Sequence, residues 1–168
     1  MKIIHDVLSP ELLAHCNGEI DFRLTEESWT FSNNNWDPYL YKGIPGTCLA
    51  SEVSKGLKLK VLAAVRKHLP LVKHDKYHLN YHYWLHNSGV QWHEDKKYVF
   101  GATLYLNDWK KEWGGLFLWQ DNKTGDIHGQ IPKPGTIAIV DQSEFHSVTQ
   151  ISPFAPYPRR AIQIWGMK

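Results

Sequence analysis

The sequence predicts a mainly β protein in which a helical N-terminal part supports a sandwich or barrel of strands. Apolar residues recur at every fourth position between residues 49 and 69, as in a helix. Apolar and polar residues alternate between residues 76 and 86, as in a strand, and short apolar segments separated by turn formers follow up to residue 165. A length of 168 residues suits one domain, which we divide into a helical support region, 1–70, and a β core, 71–168.

The N-terminal region begins with a predicted short strand over residues 2–8, followed by a helix. Ser9 is a favourable N-cap, and Pro10 suits the first helical position because an N–H there would have no partner. We expect this helix to run from Pro10 to Cys16 and to end at Asn17-Gly18, since glycine often terminates helices.

A long loop and a second helix complete the support region. Residues 32–47 are rich in turn formers and predict a loop of the length that often carries function. Residues 49–69 predict a helix, which Pro70 ends because proline cannot continue the hydrogen-bonding pattern. The apolar face of this helix consists of Leu49, Val53, Leu57, Val61, Leu62, Val65 and Leu69.

The β core begins with a strand over residues 76–86. Its odd-numbered and even-numbered residues differ in polarity, so the two sets are expected on opposite faces of a sheet. The odd set is Tyr77, Leu79, Tyr81, Tyr83 and Leu85, and the even set is His78, Asn80, His82, Trp84 and His86. Further strands are predicted over residues 98–106, 116–120, 136–140, 146–151 and 159–165.

Composition and charge narrow the class of protein. A formal net charge of +2 is too small to indicate nucleic-acid binding by electrostatics. The two cysteines, Cys16 and Cys48, form neither a disulfide framework nor a CxxC metal pair, which is typical of a reducing compartment. No segment has the pattern of a signal peptide or the length of an apolar membrane span. We therefore expect a soluble, cytoplasmic monomer.

His93 and Asp95 are the first candidates for chemistry. Side chains at positions i and i+2 of an extended segment point to the same side, so this segment can offer an imidazole and a carboxylate to one ion. His146 begins a later strand and can supply a third ligand. Two histidines and one carboxylate form the facial triad of non-haem Fe(II) oxygenases, which leaves coordination positions open. The alternative is that His93 and Asp95 form a surface pair and that His146 is an ordinary strand histidine.

Arg159 begins the last predicted strand and is expected to point into the β core. Ile162 and Ile164 suit the side that faces the helices, so alternation places Arg159 on the opposite side. A buried guanidinium is costly without an anionic partner, and no protein carboxylate is an obvious one. Its planar fork suits the far carboxylate of 2-oxoglutarate. Arg160 takes this role instead if the strand is out of phase.

Four histidines with regular spacing offer a different metal site. His74, His78, His82 and His86 would align on a helix and could then bind zinc or nickel. The alternation of residues 76–86 favours a strand, on which these histidines occupy the polar face and need no metal.

From about Tyr77 to Trp165 the chain resembles the prolyl-hydroxylase branch of the Fe(II)/2-oxoglutarate-dependent oxygenases. The matching segments occur in the order of that family and cover a little over half of the chain, whereas residues 1–70 match only loosely. The segments are NYHYW, WHED, ATLYLNDW, WGGLFLW, KPGTIAIVD, EFHSV and RRAIQIW.

The resemblance implies a double-stranded β-helix, or jelly roll, supported by two or more helices. It implies that His93, Asp95 and His146 bind Fe(II) and that Arg159 binds the far carboxylate of 2-oxoglutarate. It also implies O2 as a substrate, with ascorbate as the expected reductant.

Three aromatic residues complete the implied site. Tyr83 and Tyr105 match positions at which this branch often has tyrosines that hold 2-oxoglutarate. Trp165 lies where the family often has an aromatic residue that lines the site. As an alternative, all three are ordinary core residues.

The implied reaction is hydroxylation of a C–H bond, in a prolyl residue of a peptide or protein, with release of succinate and CO2. Hydroxylation of a free amino acid or another small molecule is the alternative within the family. A non-catalytic jelly-roll module that binds its ligand in an aromatic groove is the alternative from another class. Nucleic-acid demethylation is disfavoured, because such enzymes usually carry a second arginine six residues after the first, where this chain has Trp165.

Overall fold

Two antiparallel sheets that face each other form the body of the molecule. The structure is a computed structural model that describes residues 1–168, apart from the side chain of Asp75. Its helices cover the outer face of the larger sheet, and this arrangement is the predicted jelly roll with helical support. None of the helices in the described part of the chain has the length and apolarity needed to span a membrane.

The described residues form eleven strands and two α-helices. The helices are α1 (Pro10–Arg23) and α2 (Lys55–Val65), and the first five strands are β1 (Lys2–Ile4), β2 (Ser32–Asn33), β3 (Cys48–Glu52), β4 (Tyr77–Trp84) and β5 (Val90–His93). The remaining strands are β6 (Tyr98–Tyr105), β7 (Phe117–Gln120), β8 (Ile127–Gln130), β9 (Ile137–Asp141), β10 (His146–Val148) and β11 (Arg159–Met167).

The order of the strands brings distant segments together. The larger sheet has the order β1-β9-β6-β11-β4-β3-β2, and the smaller sheet has the order β5-β10-β7-β8. Every neighbouring pair is antiparallel. Strand β11 therefore lies at the centre of the larger sheet, between β6 and β4.

The apolar residues form two core clusters, one on each face of the larger sheet. The helix-side core lies between this sheet and the helices and includes Ile20, Val61, Val65, Ile162 and Ile164. The inter-sheet core lies between the two sheets and includes Trp84, Tyr105, Phe117, Val140 and Ala161. Strand β11 thus presents Ile162 and Ile164 to the helices, as the sequence predicted, and its odd-numbered residues to the space between the sheets.

Helix α1 continues well beyond the predicted end at Asn17-Gly18. Its start is as predicted, since the Ser9 hydroxyl accepts a hydrogen bond from the Leu12 N–H. Beyond Gly18, the fully buried Ile20 anchors another turn in the helix-side core. The expected stop at Gly18 was therefore wrong, because tertiary burial outweighs the modest cost of a glycine in a helix.

The predicted helix over residues 49–69 divides into a strand and a shorter helix. Residues Cys48–Glu52 form β3, and α2 begins only at Lys55. A repeat of four is also a multiple of two, so Leu49 and Val53 fit a strand as well as a helix. Pairing with β4, in which Leu49 lies opposite Tyr83, decides for the strand. Strand β8 was also not predicted, since its segment IHGQ has one strongly apolar residue and depends on pairing with β7.

Candidate metal centre and adjoining pocket

The three predicted metal ligands converge at one end of the space between the sheets. His93 ends β5 and His146 begins β10, and these residues lie directly opposite each other in the antiparallel pair. Asp95 follows β5 by two residues. One ligand atom from each residue lies within 4.8 Å of the others. The Nε2 atoms of His93 and His146 lie 4.0 and 3.9 Å from the carboxylate oxygens of Asp95.

Hydrogen bonds to the backbone orient both imidazole rings. The Nδ1 atom of His93 donates to the carbonyl oxygen of Gln91, and the Nδ1 atom of His146 donates to that of Glu144, each at 2.8 Å. Since a carbonyl oxygen can only accept, the proton of each neutral ring is on Nδ1. The Nε2 lone pairs are therefore free for a metal, which is the usual tautomer of a metal-binding histidine with a backbone partner.

Burial shifts the pKa of two of the three proposed ligands, His146 and Asp95, in the metal-free protein. Burial, together with nearby His93, lowers the pKa of His146 to about 3, so its ring is neutral at pH 7. Burial raises the pKa of the Asp95 carboxyl, and His93 partly opposes this rise. A cation would offset the desolvation of this carboxylate. The donor set of two imidazoles and one carboxylate fits Fe(II).

A cavity of about 350 Å³ extends from the three ligands into the protein. Its wall has a buried part, contributed by the larger sheet, and an exposed part, contributed by loops. The buried part includes His82, Trp84, Thr103, Arg159 and Trp165. The exposed part includes Asp37, Tyr39, Lys96 and Lys97.

Arg159 is almost completely buried in the wall of this cavity, with 1% of its surface exposed. Its Nη1 atom donates to the carbonyl oxygen of Gly115, but Nε and Nη2 have no partner among the described residues. The guanidinium lies 4.5 Å from the ring centroid of Trp84 and 5.8 Å from that of Tyr105. The Trp84 Nε1 and the Tyr105 hydroxyl are also buried without a partner in the described chain.

Unpaired buried donors of this kind are costly, and they point to a missing ligand. A carboxylate can accept hydrogen bonds from a guanidinium, a phenol and an indole at the same time. It would also neutralise the buried charge of Arg159. The residues present therefore fit the far carboxylate of 2-oxoglutarate.

Arg160 lies on the opposite face of β11 and has its own partners. Its guanidinium pairs with the Asp21 carboxylate at 2.7 Å and donates to the side-chain oxygen of Asn17 at 3.3 Å. It also lies 5.9 Å from the ring centroid of Tyr83. The phase of the last strand is thus the predicted one, and the alternative that places Arg160 in the pocket does not hold.

Tyr83 was expected at the co-substrate, and the structure corrects this expectation. In the pairing of β4 with β11, Tyr83 lies opposite Arg160, and Trp84 lies opposite Arg159. Residues directly opposite each other share one face of a sheet. Tyr83 accordingly packs against the helix-side core, and Trp84 occupies the place beside Arg159.

Tyr105 and Trp165 lie on the face of the larger sheet that is turned towards the smaller sheet, and of the two only Trp165 is among the residues that line the cavity. Tyr105 is fully buried in the inter-sheet core, and burial raises the pKa of its hydroxyl to about 12, so the group is protonated. Trp165 lines the cavity itself. Its ring stacks on His78 with the centroids 5.7 Å apart.

His82 is a pocket residue that sequence reasoning did not select. Its Nε2 accepts a hydrogen bond from the side-chain amide of Asn34 at 3.1 Å. Burial and the charge of Arg159 lower the pKa of His82 to about 3, so it is neutral. His78 and His82 lie on a strand rather than a helix, and the helical stripe of four histidines is therefore not formed.

The predicted loop over residues 32–47 covers part of the pocket, although it contains the short strand β2 and a 3-10 turn. Trp36 contributes a ring that lies 5.6 Å from Tyr41 and 5.4 Å from both Trp84 and His82. The side chain of Gln91, on β5, donates to the carbonyl oxygen of Lys42 at 2.8 Å and ties this loop to the ligand-bearing strand.

A jelly roll with two histidines and a carboxylate at one end of a cavity, and a buried arginine in the same cavity, defines the class of non-haem, 2-oxoglutarate-dependent oxygenases. Comparison with known families agrees. Residues 75–167 match the family model of the 2OG-Fe(II) oxygenase superfamily, and the chain belongs to this superfamily. No curated protein sequence matches the chain.

Solved structures similar to this one share the fold at low sequence identity. A Pseudomonas putida prolyl-4-hydroxylase has a TM-score of 0.75 and 15% identity, over 99% of this chain and 91% of that one. A prolyl hydroxylase from Trichoplax adhaerens, in complex with a peptide fragment of hypoxia inducible factor, has a TM-score of 0.75 and 13% identity, over 99% and 82%. The epimerase SnoN of nogalamycin biosynthesis has a TM-score of 0.69 and 13% identity, over 97% and 76%.

Proposed function

We propose that this protein hydroxylates a C–H bond of a prolyl residue in a peptide or protein. Fe(II) would be held by His93, Asp95 and His146, and 2-oxoglutarate by Arg159. The observation that carries the proposal is the presence of both groups in one cavity: three convergent ligand atoms, and a buried guanidinium with unpaired donors. When bound, iron and 2-oxoglutarate would supply the oxidising power for C–H hydroxylation, with consumption of O2 and release of succinate and CO2.

Each part of the cavity has a separate role in this proposal. The Nε2 atoms of His93 and His146 would hold the metal, and their rings are oriented because both Nδ1 atoms donate to backbone carbonyls. The rings of Trp84 and Tyr105 lie beside the guanidinium and carry buried donors without a partner, which would help to fix the far carboxylate of the co-substrate. The aromatic wall excludes water, which strengthens these charge interactions.

A peptide substrate is supported by the similar structures and by the mouth of the cavity. Two of the similar folds are prolyl hydroxylases, and one of these binds a peptide. At the mouth, Tyr39 is 57% exposed and Asp37 lies 3.9 Å from Lys97, so an aromatic ring and charged groups are available to an extended peptide.

We propose that residues 1–168 act as one cytoplasmic oxygenase domain that uses ascorbate as reductant.

Hydroxylation of a free amino acid or another small molecule is the second candidate. Trp36 covers part of the cavity, and a cavity of about 350 Å³ must hold the co-substrate as well as the reacting group. A similar fold also belongs to the epimerase SnoN of nogalamycin biosynthesis, and epimerisation differs from hydroxylation.

A succinate-release assay separates these candidates. The protein is loaded with Fe(II), ascorbate and 2-oxoglutarate and tested with proline-containing peptides and with free amino acids. Succinate release stimulated by a peptide, with gain of one oxygen atom on a proline in its mass spectrum, is the expected result. Stimulation by free amino acids alone would favour the second candidate. No binding of either Fe(II) or 2-oxoglutarate would favour a non-catalytic module.

A further inference from the structure

Gly101 lies in the middle of β6, directly beneath the Asp95 carboxylate. A Cβ atom at this position would collide with Oδ2 of Asp95 and would lie 3.5 Å from its Cγ atom. It would also lie 3.4 Å from a methyl group of Val140, the residue paired with Gly101 on the neighbouring strand β9. The space that a side chain would need is thus occupied by a proposed metal ligand.

The backbone at Gly101 does not itself require glycine. Its φ angle lies outside the left-handed region in which glycine is favoured. Glycine within a strand costs conformational entropy and contributes no packing, and it often marks a close approach by another group. The close approach here is that of the Asp95 carboxylate.

Asp95 is oriented by fewer contacts than the two histidines. Each histidine is fixed through its Nδ1 atom, whereas no hydrogen bond reaches the carboxylate oxygens of Asp95 within the described residues. The Asp95 backbone carbonyl accepts from the Tyr98 N–H at 2.9 Å, which fixes the turn but not the side chain. The close approach to β6 at Gly101 is the packing contact that the structure shows for this carboxylate.

We propose that Gly101 is a positioning residue for the metal centre. By lacking a side chain, it lets the Asp95 carboxylate lie against β6 and approach both histidines. The inference rests on the proposed role of Asp95 as a metal ligand. A methyl group at position 101 forces the carboxylate away from the histidines and weakens metal binding.

The test uses the full chain without iron and follows the binding of Co(II) by calorimetry and by its visible absorption. Gly101→Ala is expected to bind Co(II) roughly 10- to 100-fold more weakly than the wild type, the range for a changed partner of a metal ligand. Gly56→Ala is the matched control, because a Cβ at Gly56 would meet no atom within 4 Å. Gly101→Ala with wild-type affinity would overturn the proposal.

A double-mutant cycle shows whether the effect passes through Asp95. The cycle is measured at Co(II) concentrations high enough for the two remaining histidines of Asp95→Ala to bind the ion. In that background Gly101→Ala should cause no further loss of Co(II) affinity, and a further loss of the same size would overturn the proposal. The variant Gly101→Ala/Val140→Ala removes the second contact of the added methyl group and serves if Gly101→Ala does not fold. Its Co(II) binding should stay weak, and wild-type affinity would show that crowding against Val140 was the cause.

The result for the unchanged protein separates this inference from the proposed function. If the wild type does not bind Co(II), or if Asp95→Ala binds it as well as the wild type, the proposed metal site itself fails. If the wild type binds Co(II), Asp95→Ala binds it more weakly, and Gly101→Ala binds it as well as the wild type, only the positioning role of Gly101 fails.

Discussion

His93 and His146 face each other across the antiparallel pair of β5 and β10, with their ring centroids 4.3 Å apart. Because the two residues are distant in the chain, their approach depends entirely on the register of these strands. The residues that precede them, Trp92 and Phe145, stack with centroids 5.3 Å apart and connect the same two strands. Strand pairing thus brings the two histidines of the candidate metal centre together, and Asp95 joins them from the turn that follows β5.

Loss of any of the three proposed metal ligands should abolish turnover of 2-oxoglutarate. Asp95→Ala and His146→Ala each remove one ligand from a site that has only three, so we expect no succinate release above background. Glu94→Ala is the matched control, because Glu94 lies between two of the ligands and pairs with Lys96 at 2.6 Å. Normal succinate release by Asp95→Ala or His146→Ala would contradict the assignment of the ligands.

Replacement of Arg159 should weaken the binding of 2-oxoglutarate, whereas replacement of its neighbour Arg160 should not. Truncation of one partner of a buried charge pair costs about 2–5 kcal/mol, so Arg159→Ala should raise the Kd for 2-oxoglutarate by at least about 30-fold. Binding is measured by calorimetry with Mn(II) in place of iron. An equal effect of Arg160→Ala, which removes a pair with Asp21, would contradict the inward position of Arg159.

Arg159→Met should leave the ligand-free protein at least as stable as the wild type. The substitution replaces a buried cation that has unpaired donors by an apolar side chain of similar length, and such a replacement does not usually lower the free energy of unfolding. In the wild type, Mn(II) with 2-oxoglutarate should raise the Tm, and most of the increase due to 2-oxoglutarate should be absent from the variant. A large fall in the Tm of the ligand-free variant would show that the guanidinium is well satisfied by the protein alone.

The hydroxyl of Tyr105, and not that of Tyr83, should contribute to co-substrate binding. Tyr105→Phe removes a buried hydroxyl without a partner in the described chain, so we expect weaker 2-oxoglutarate binding and little loss of stability. Tyr83→Phe is the matched control, since Tyr83 packs on the helix side of the sheet. The calorimetric Kd of each variant, with urea unfolding for stability, tests this. Equal Kd values for both variants would contradict the prediction.

The stability of the metal-free protein should fall as the pH falls below about 6.5. Burial lowers the pKa of His82 from 6.5 to about 3, so the unfolded chain binds more protons than the folded one between these values. Stability is then highest above pH 6.5 and decreases towards pH 3, with a slope of up to about 1.4 kcal/mol per pH unit for each such group. His146 contributes in the same direction, because its pKa is also lowered to about 3.

His82→Gln should make this decrease less steep. Urea unfolding in the presence of a chelator, between pH 8 and pH 5, gives the free energy of unfolding for both proteins. The difference at pH 8 measures the loss of packing, because His82 is neutral there in both states. The change of that difference with pH measures the protonation of His82 in the unfolded chain. A constant difference across this range would contradict the burial of a neutral His82.

Sequence patterns predicted the β core well because successive side chains of a strand point to opposite faces of a sheet, and the two faces of β4 differ in polarity. The same alternation also predicted which residues of β4 face the cavity, a point on which the family resemblance was misleading. Tyr83 belongs to the odd-numbered apolar set of β4, which packs on the helices, whereas Trp84 belongs to the set that faces the cavity. Alternation therefore predicted the positions of Tyr83 and Trp84 better than the resemblance did.

The N-terminal boundaries were less predictable for a physical reason. The spacing of Leu49 and Val53 satisfies both a helix and a strand, and only pairing with β4 selects the strand. The end of α1 depends on Ile20, whose burial requires the whole helix-side core to be in place. Local sequence does not contain these contacts.

The sequence by itself determined the family, the candidate ligands and the inward face of the last strand, because the motifs and the alternation are local properties of the chain. Only the tertiary structure decided which side chains meet. The approach of His93 to His146, the place of Trp84 beside Arg159, and the contact of Gly101 with Asp95 all depend on the register between strands that are distant in sequence. Strand register is set by the packing of both cores together, so no single segment specifies it.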